Sequence, residues 1–173
     1  VLPVEFQVYC DPLLREYAGT DMYGYYVYDD EGVKARRVDN VKDGVLKEFL
    51  MSRVPLDGFP ASNGHGRTSG GGDPVSRQSN LVIESTRPYS EDKLRAMLVT
   101  EARKQGKEYG YYFRTVTSGF TYTGEGGSLN SFNVTPLEVY RIFVDGRPDQ
   151  LVRGVDMIGT PLSMFSNITA AGR

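Results

Sequence analysis

The chain reads as an α+β fold, built mainly of antiparallel β-sheet in hairpins. Three observations predict this. Runs of two-residue alternation are punctuated by turn residues, helical periodicity is confined to two segments, and no alternating strand–helix units of the kind that build a parallel sheet occur. An all-β fold is the main competing reading.

The elements follow in order. Val4, Phe6 and Val8 alternate with Glu5, Gln7 and Tyr9, a half-buried strand that Asp11-Pro12 stops. Gly24–Tyr28 and Val33–Val41 are strand candidates on either side of an acidic turn, Asp29–Gly32. Lys42-Asp43-Gly44 turns the chain into Val45–Met51, whose Val45, Lys47, Phe49 and Met51 face one way; Asp-Gly between flanking strand patterns is a hairpin signal. Ser52–Ser79 is then rich in Gly, Ser and Pro and lacks periodicity, which inside a compact domain marks a binding loop or a disordered one. Asn80–Ser85 emerges from it as a short strand.

Ser90 offers an N-cap, and Glu91 and Asp92 suit the positive end of a helix dipole. Leu94, Met97, Leu98 and Ala102 share one face, and Arg103, Lys104 and Gly106 supply the finish, so the pattern predicts an amphipathic helix over about 91–105. Tyr109–Thr117, Phe120–Thr123 and Ser131–Val134 are strand patterns broken by glycines. Leu137–Val144 is a further strand, Asp145-Gly146-Arg147-Pro148 a turn, and Gln150–Arg153 pairs back. Thr160 caps and Pro161 opens a short C-terminal helix, about 161–168.

With 173 residues the chain is long enough to bury a core of its own and reads as one domain, 1–173. Its net charge of −2 gives no electrostatic reason to expect nucleic acid. No apolar run approaches the roughly 18 residues that span a bilayer, so no membrane partner is expected. The single cysteine, Cys10, excludes an internal disulfide and fits a reducing cytoplasm; at the end of a strand pattern it reads as a buried thiol.

The long loop holds the candidate site. His65, the only histidine, stands between Gly64 and Gly66, which free the backbone to present an imidazole at a tight turn; it either contacts a ligand or bonds to the loop's own backbone. Arg67 and Arg77 flank Gly70–Gly72. Their planar forks suit a carboxylate, or pair with a neighbouring Asp or Glu to hold the loop. Asn80 closes a turn or contacts substrate. The triple glycine lacks the Gly-Lys-Ser/Thr of a phosphate loop, and Asp29–Gly32 lacks the ligand spacing of a calcium loop. One histidine and one distant cysteine cannot by themselves make a three- or four-ligand zinc site. Tyrosines cluster at 23–28 and 109–112, either an aromatic wall for a peptide or the usual enrichment of half-exposed strands.

Taken as an ordered set, Asp29-Asp30-Glu31-Gly32, Asp43 through Arg53, Ser62-Asn63-Gly64-His65-Gly66-Arg67 and Pro74 through Leu81 resemble the TldD/PmbA family of modulators of DNA gyrase, and its TldD branch more closely. Glu138–Arg141, Val152-Arg153-Gly154 and Ile158-Gly159 extend the likeness in order towards Arg173, so it covers nearly the whole chain. The resemblance implies a cytoplasmic zinc metallopeptidase that hydrolyses peptides or small unfolded proteins, as a homodimer or as a heterodimer with a related subunit. It also implies a helical His-Glu-x-x-x-His motif and a late Gly-x-Cys-Gly loop as metal ligands. Neither is in this sequence; by alignment the first falls before Val1 and the second beyond Arg173. The expectation is therefore a piece of the C-terminal half, inactive alone, with no catalytic or metal-ligating residue of its own and with zinc held elsewhere in its parent. His65, Arg67, Arg77 and Asn80 are then the residues expected to touch substrate. The other branch of the family implies a non-catalytic PmbA-like partner subunit or peptide-binding module.

Overall fold

The computed structural model describes residues 2–122 and 130–172. The chain divides into two compact units, Val1–Arg87 and Pro88–Arg173. Every pairing between named strands is antiparallel and two helices accompany the sheets, so the α+β reading holds.

The first unit contains β1 (Phe6–Cys10), β2 (Glu16–Tyr17), β3 (Thr20–Asp21), β4 (Val38–Lys42), β5 (Val45–Leu46), β6 (Gly66–Arg67), β7 (Val75–Ser76) and β8 (Leu81–Ser85). Its main sheet has the order β5-β4-β1-β8. Phe6 and Cys10 of β1 are buried with Val38, Val82, Ala35 and Met51, an apolar core that excludes water from the sheet. Tyr9, on the opposite face of β1, is also buried. The Arg37 guanidinium lies 3.5 Å above its ring, and its hydroxyl donates to Glu84 at 3.0 Å. Burial, then the Glu84 carboxylate, push that hydroxyl up to about 12. Val4, assigned to the buried face by alternation, is 69% exposed because the strand begins only at Phe6.

The Asp43-Gly44 turn forms as the sequence predicts, with both residues at positive φ (52° and 73°), the conformation of a two-residue hairpin loop. The strand after it is shorter than Val45–Met51. Beyond Leu46 the side chain of Asn63 takes the place of a partner strand, donating to the Phe49 carbonyl at 2.8 Å and accepting from the Met51 N–H at 2.8 Å. Gly24–Val27 forms no strand, because the Gly24 N–H goes to the Asn80 side chain and the Tyr26 N–H to the Pro12 carbonyl, though Tyr28 bridges Lys34 antiparallel across the acidic turn. Likewise Val33–Ala35 is spent on turn bonds to Asp29 and Val27, so the following strand starts only at Val38. The hairpin of β2 and β3 around Ala18-Gly19 was not anticipated. Ser52–Ser79, aperiodic in sequence, carries structure of its own: β6 pairs with β7, and Leu56 and Phe59 exchange backbone bonds around Gly58.

The second unit contains α1 (Glu91–Lys104), β9 (Tyr109–Tyr122), β10 (Ser131–Phe143), β11 (Gln150–Val152), β12 (Met157–Gly159) and α2 (Pro161–Ser166). Strand β10 pairs along its length with β9, while β11 and β12 share its other edge. The four strand fragments read from the sequence are thus two long strands; Thr123 lies outside the described residues. Pro136 is accommodated because the β9–β10 register shifts around it, so no ladder bond requires its missing N–H. Gly119 allows a close approach, since a Cβ there would sit 2.8 Å from the Asn133 carbonyl oxygen. Strand β12 was not anticipated, and α2 stops at Ser166, two residues short.

Helix α1 follows its pattern. Ser90 Oγ accepts from the Lys93 N–H at 3.3 Å, Leu94, Met97 and Leu98 are half-buried, and Ala102 is buried. Phe132, Val139 and Ile142 of β10 complete the buried set. Ile142 is 1% exposed and Leu151 56% exposed. Ile142→Ala is therefore expected to cost about 2–5 kcal/mol in urea unfolding, and Leu151→Ala less than about 0.5 kcal/mol.

Candidate functional site

The acidic turn read from the sequence as a simple reversal anchors the whole loop 52–79. Asp29 is buried, and its carboxylate accepts three backbone N–H groups: Glu31 (3.0 Å) and Val33 (2.8 Å) on Oδ1, and Gly66 (2.9 Å) on Oδ2. Asp30 donates its N–H to the Gly66 carbonyl at 2.9 Å, while its Oδ2 accepts from the Thr68 N–H at 2.7 Å and stands 3.3 Å from Arg67 Nε. Glu31 Oε2 accepts from the Arg53 N–H at 2.7 Å. Three consecutive carboxylates thus hold amides at 53, 66 and 68, far apart in sequence. A Cβ at Gly66 would lie 2.2 Å from Glu31 Oε2, so a side chain there would displace that carboxylate from the Arg53 N–H. Gly64 is required twice over, with φ of 78° and a Cβ that would meet the Ala35 Cα at 2.4 Å.

His65 sits at the centre of this framework, 0% exposed. Its N–H donates to the Met51 carbonyl (3.3 Å) and its carbonyl accepts the Arg77 N–H (3.0 Å), so its backbone ties residue 51 to residue 77. Nδ1 lies 3.1 Å from Asn63 Oδ1 and 3.3 Å from the Asn63 carbonyl, while Nε2 is buried with no hydrogen-bond partner. Burial holds the imidazole below its ordinary value, outweighing the bond to Asn63, because a proton on the ring would place a charge where water cannot reach. Asn80 is equally committed. It accepts from the Gly24 N–H at 2.7 Å, donates to the Leu14 carbonyl at 2.8 Å, and its own carbonyl accepts the Asp11 N–H at 2.9 Å. Beside it Cys10 is a buried thiol, as its position suggests, within 3.1 Å of Ser79 Oγ and accepting the Ser79 N–H at 3.0 Å.

Above this layer opens a cleft of about 260 Å³, lined by Tyr23, Tyr25, Tyr26, Arg67, Arg77 and Gln78 among others. Of the four residues expected to touch substrate, Arg67 and Arg77 line it; His65 and Asn80 lie buried, bonded to the backbone of the segments that build its walls. Arg67 rests 4.3 Å over the Tyr26 ring and is paired with Asp30. Tyr26 donates its hydroxyl to the Gly64 carbonyl at 3.0 Å, and burial raises that hydroxyl to about 12. The Arg77 guanidinium has no ion-pair or hydrogen-bond partner among the described residues. Sequence reasoning missed Asp29 and Asn63 as organisers; the signal was available in Asp-x-x-Gly and Asn-Gly, whose short side chains cap nearby amides.

Among the described residues no three His, Cys, Asp or Glu side chains are placed to hold one metal ion. His65 Nδ1 and Cys10 Sγ are each bonded within the loop. Zinc needs at least three protein ligands, so the described residues do not fit it.

A family model described as the PmbA/TldA metallopeptidase C-terminal domain matches residues 1–173. A metalloprotease of Archaeoglobus fulgidus is 32% identical over 158 residues, covering 91% of this chain and 32% of that protein. A metalloprotease of Methanothermobacter thermautotrophicus is 31% identical over 153 residues, covering 88% of this chain and 30% of its own length. The chain thus spans about a third of the length of these relatives. Among solved structures, TldE from Thermococcus kodakarensis aligns over 99% of this chain and 35% of its own with a TM-score of 0.64 at 15% identity. A candidate modulator of a DNA gyrase from Thermotoga maritima aligns over 99% and 35% with a TM-score of 0.60 at 20% identity. These likenesses establish a shared fold.

Two outcomes test the framework. Asp29→Ala strands three backbone donors and should destabilise the chain by at least about 2 kcal/mol in urea, with trypsin then cutting at Arg53, Arg67 or Arg77; Asp29→Asn, which keeps one acceptor, should fall between. The second follows from the lowered His65. In the unfolded chain the imidazole takes a proton near 6.5, and in the folded chain only below that. Its contribution is thus fully present above pH 6.5 and drains away as pH falls from there to the folded value. The melting temperature should drop over that range in the native chain, and this component should vanish in His65→Gln.

Proposed function

The chain belongs to the PmbA/TldA metallopeptidase C-terminal domain family, and on that premise we propose that it is part of a zinc-dependent, TldD-like peptidase acting on peptides or small unfolded proteins. The observation that carries this reading is the match of the family model to the whole chain; the metalloprotease names of relatives above 30% identity support it. In this reading the zinc ligands come from parts of the parent outside these residues. The present residues do the work of holding and orienting a substrate. The carboxylate-anchored loop fixes the cleft, Arg67 and Arg77 face what enters it, and His65 and Asn80 act as positioning residues beneath.

A cytoplasmic setting is supported by the lone, buried Cys10, which needs no oxidising compartment. Among the described residues no helix is long and apolar enough to cross a membrane. Assembly as a homodimer, or as a heterodimer with a related subunit, is supported by β9, which pairs only with β10 among the described residues and leaves a fourteen-residue edge without a strand partner. A second reading, a non-catalytic PmbA-like partner subunit or peptide-binding module, draws on the fold shared with TldE.

The test is peptide hydrolysis by the full-length parent, alone and with any related subunit, before and after chelation. The first reading expects cleavage that chelation abolishes and zinc restores, and none from the 173-residue chain alone. Peptide binding by the parent without metal-dependent cleavage would select the second. Sustained zinc-dependent turnover by this chain alone would overturn the placement of the metal centre.

A further inference from the structure

We propose that the cleft beside Arg77 binds a carboxylate of a peptide, with Arg77 as the specificity-determining group. This deepens the peptidase reading above and rests on it in one respect, that the ligand is a peptide.

Three observations carry the inference. First, the charged side chains lining the cleft are Arg67 and Arg77, with no carboxylate among the lining residues. Asp30 offsets Arg67, so the uncompensated charge is that of Arg77. Second, the site is held in place. The Arg77 N–H is bonded to His65, the Ser76 hydroxyl accepts the Ser52 N–H at 2.9 Å, and Arg67 is fixed between Asp30 and the Tyr26 ring. The backbone of the site is thus fixed, while the Arg77 side chain is exposed and gives up its own rotamer freedom when it binds. Third, the size is restrictive. At about 260 Å³ the cleft falls just below the range of drug-sized pockets, and suits a chain end or one side chain better than a cofactor.

Charge matching decides which anion. A carboxylate carries one charge and two oxygens in the plane of the fork, which a single free guanidinium meets with two parallel N–H bonds. A phosphate carries about −1.5 to −2 at neutral pH, more than the single uncompensated charge of Arg77 balances. The Thr68 N–H is already taken by Asp30, and no helix begins at the cleft. The tyrosines add apolar walls; Tyr23 is 98% exposed and free to cover what binds. The carboxylate is either the peptide's C-terminus or an Asp or Glu side chain.

The experiment measures fluorescence anisotropy of fluorescein-labelled Ala-Ala-Ala as the free acid, the same peptide as its amide, and Ala-Glu-Ala amide, against the 173-residue chain. At least one acidic peptide should bind about tenfold tighter than the neutral amide, as expected of a charge-assisted bidentate pair. Preference for the free acid identifies the terminus, and preference for Ala-Glu-Ala amide the side chain; either supports the proposal. Arg77→Gln should erase the preference, Arg77→Lys should retain only part of it, and Arg67→Gln should weaken binding several-fold less than Arg77→Gln. Because the Arg77 side chain has no bonding partner among the described residues, its variants should keep the native urea midpoint, which excludes misfolding as the cause. Equal binding of acid and amide, no binding at millimolar peptide, a preference that survives Arg77→Gln, or stronger competition by inorganic phosphate than by acetate would each overturn it. Hydrolysis by the parent is scored separately. Cleavage without acid preference sinks this inference alone, and acid preference without cleavage sinks the peptidase reading alone.

Discussion

The bonding of three consecutive carboxylates to distant backbone amides is the constraint on which the first unit depends. A segment such as 52–79, with little apolar content to bury, cannot be ordered by the hydrophobic effect. Its amides must be satisfied by something fixed, and Asp29, Asp30 and Glu31 supply that from a turn attached to the sheet. Charge-assisted bonds to backbone N–H groups are among the stronger polar contacts, and Asp29 makes three of them while buried. A Cβ at Gly66 would press on the Glu31 carboxylate of that turn, and one at Gly64 on the backbone of Lys34 and Ala35 just beyond it.

The anchoring also decides how the two arginines differ. Asp30 serves the loop amide at 68 and the Arg67 side chain together, so Arg67 belongs to the framework as much as to the cleft. Arg77 is placed through its backbone and keeps its guanidinium uncommitted. An arginine paired with Asp30 and one without a side-chain partner among the described residues therefore line the same cleft, ten residues apart in sequence. His65 ties the loop together: its backbone bonds to residues 51 and 77, and its ring is buried with Nε2 left without a partner among the described residues.

Much of the fold was legible because its signals are local. The Asp43-Gly44 hairpin, the Ser90 cap and the Leu94–Ala102 stripe each follow from residues within a turn or two of one another, and each formed as read. The errors share one cause. Gly24–Val27, Val33 and Lys47–Met51 have the alternation of strands, yet side chains of Asn80, Asp29 and Asn63 take backbone bonds there in place of a neighbouring strand. Conversely, Gly119 and Pro136 look like strand breakers and sit inside two long strands, because a register shift and a close approach accommodate them.

For the site, sequence alone determined the cast: a loop rich in glycine, one histidine between two glycines, two arginines flanking three more, and an acidic turn upstream, in an order that resembles a known family. Only the tertiary structure assigned the parts. It buried His65 and Asn80, paired Arg67 with Asp30 and left the Arg77 side chain without a partner among the described residues, at a tyrosine-lined cleft. The physical reason is that residue type sets which bonds a side chain can make. Which of them it does make depends on groups brought beside it from far along the chain, at this site up to 69 residues away, and no local pattern encodes that pairing.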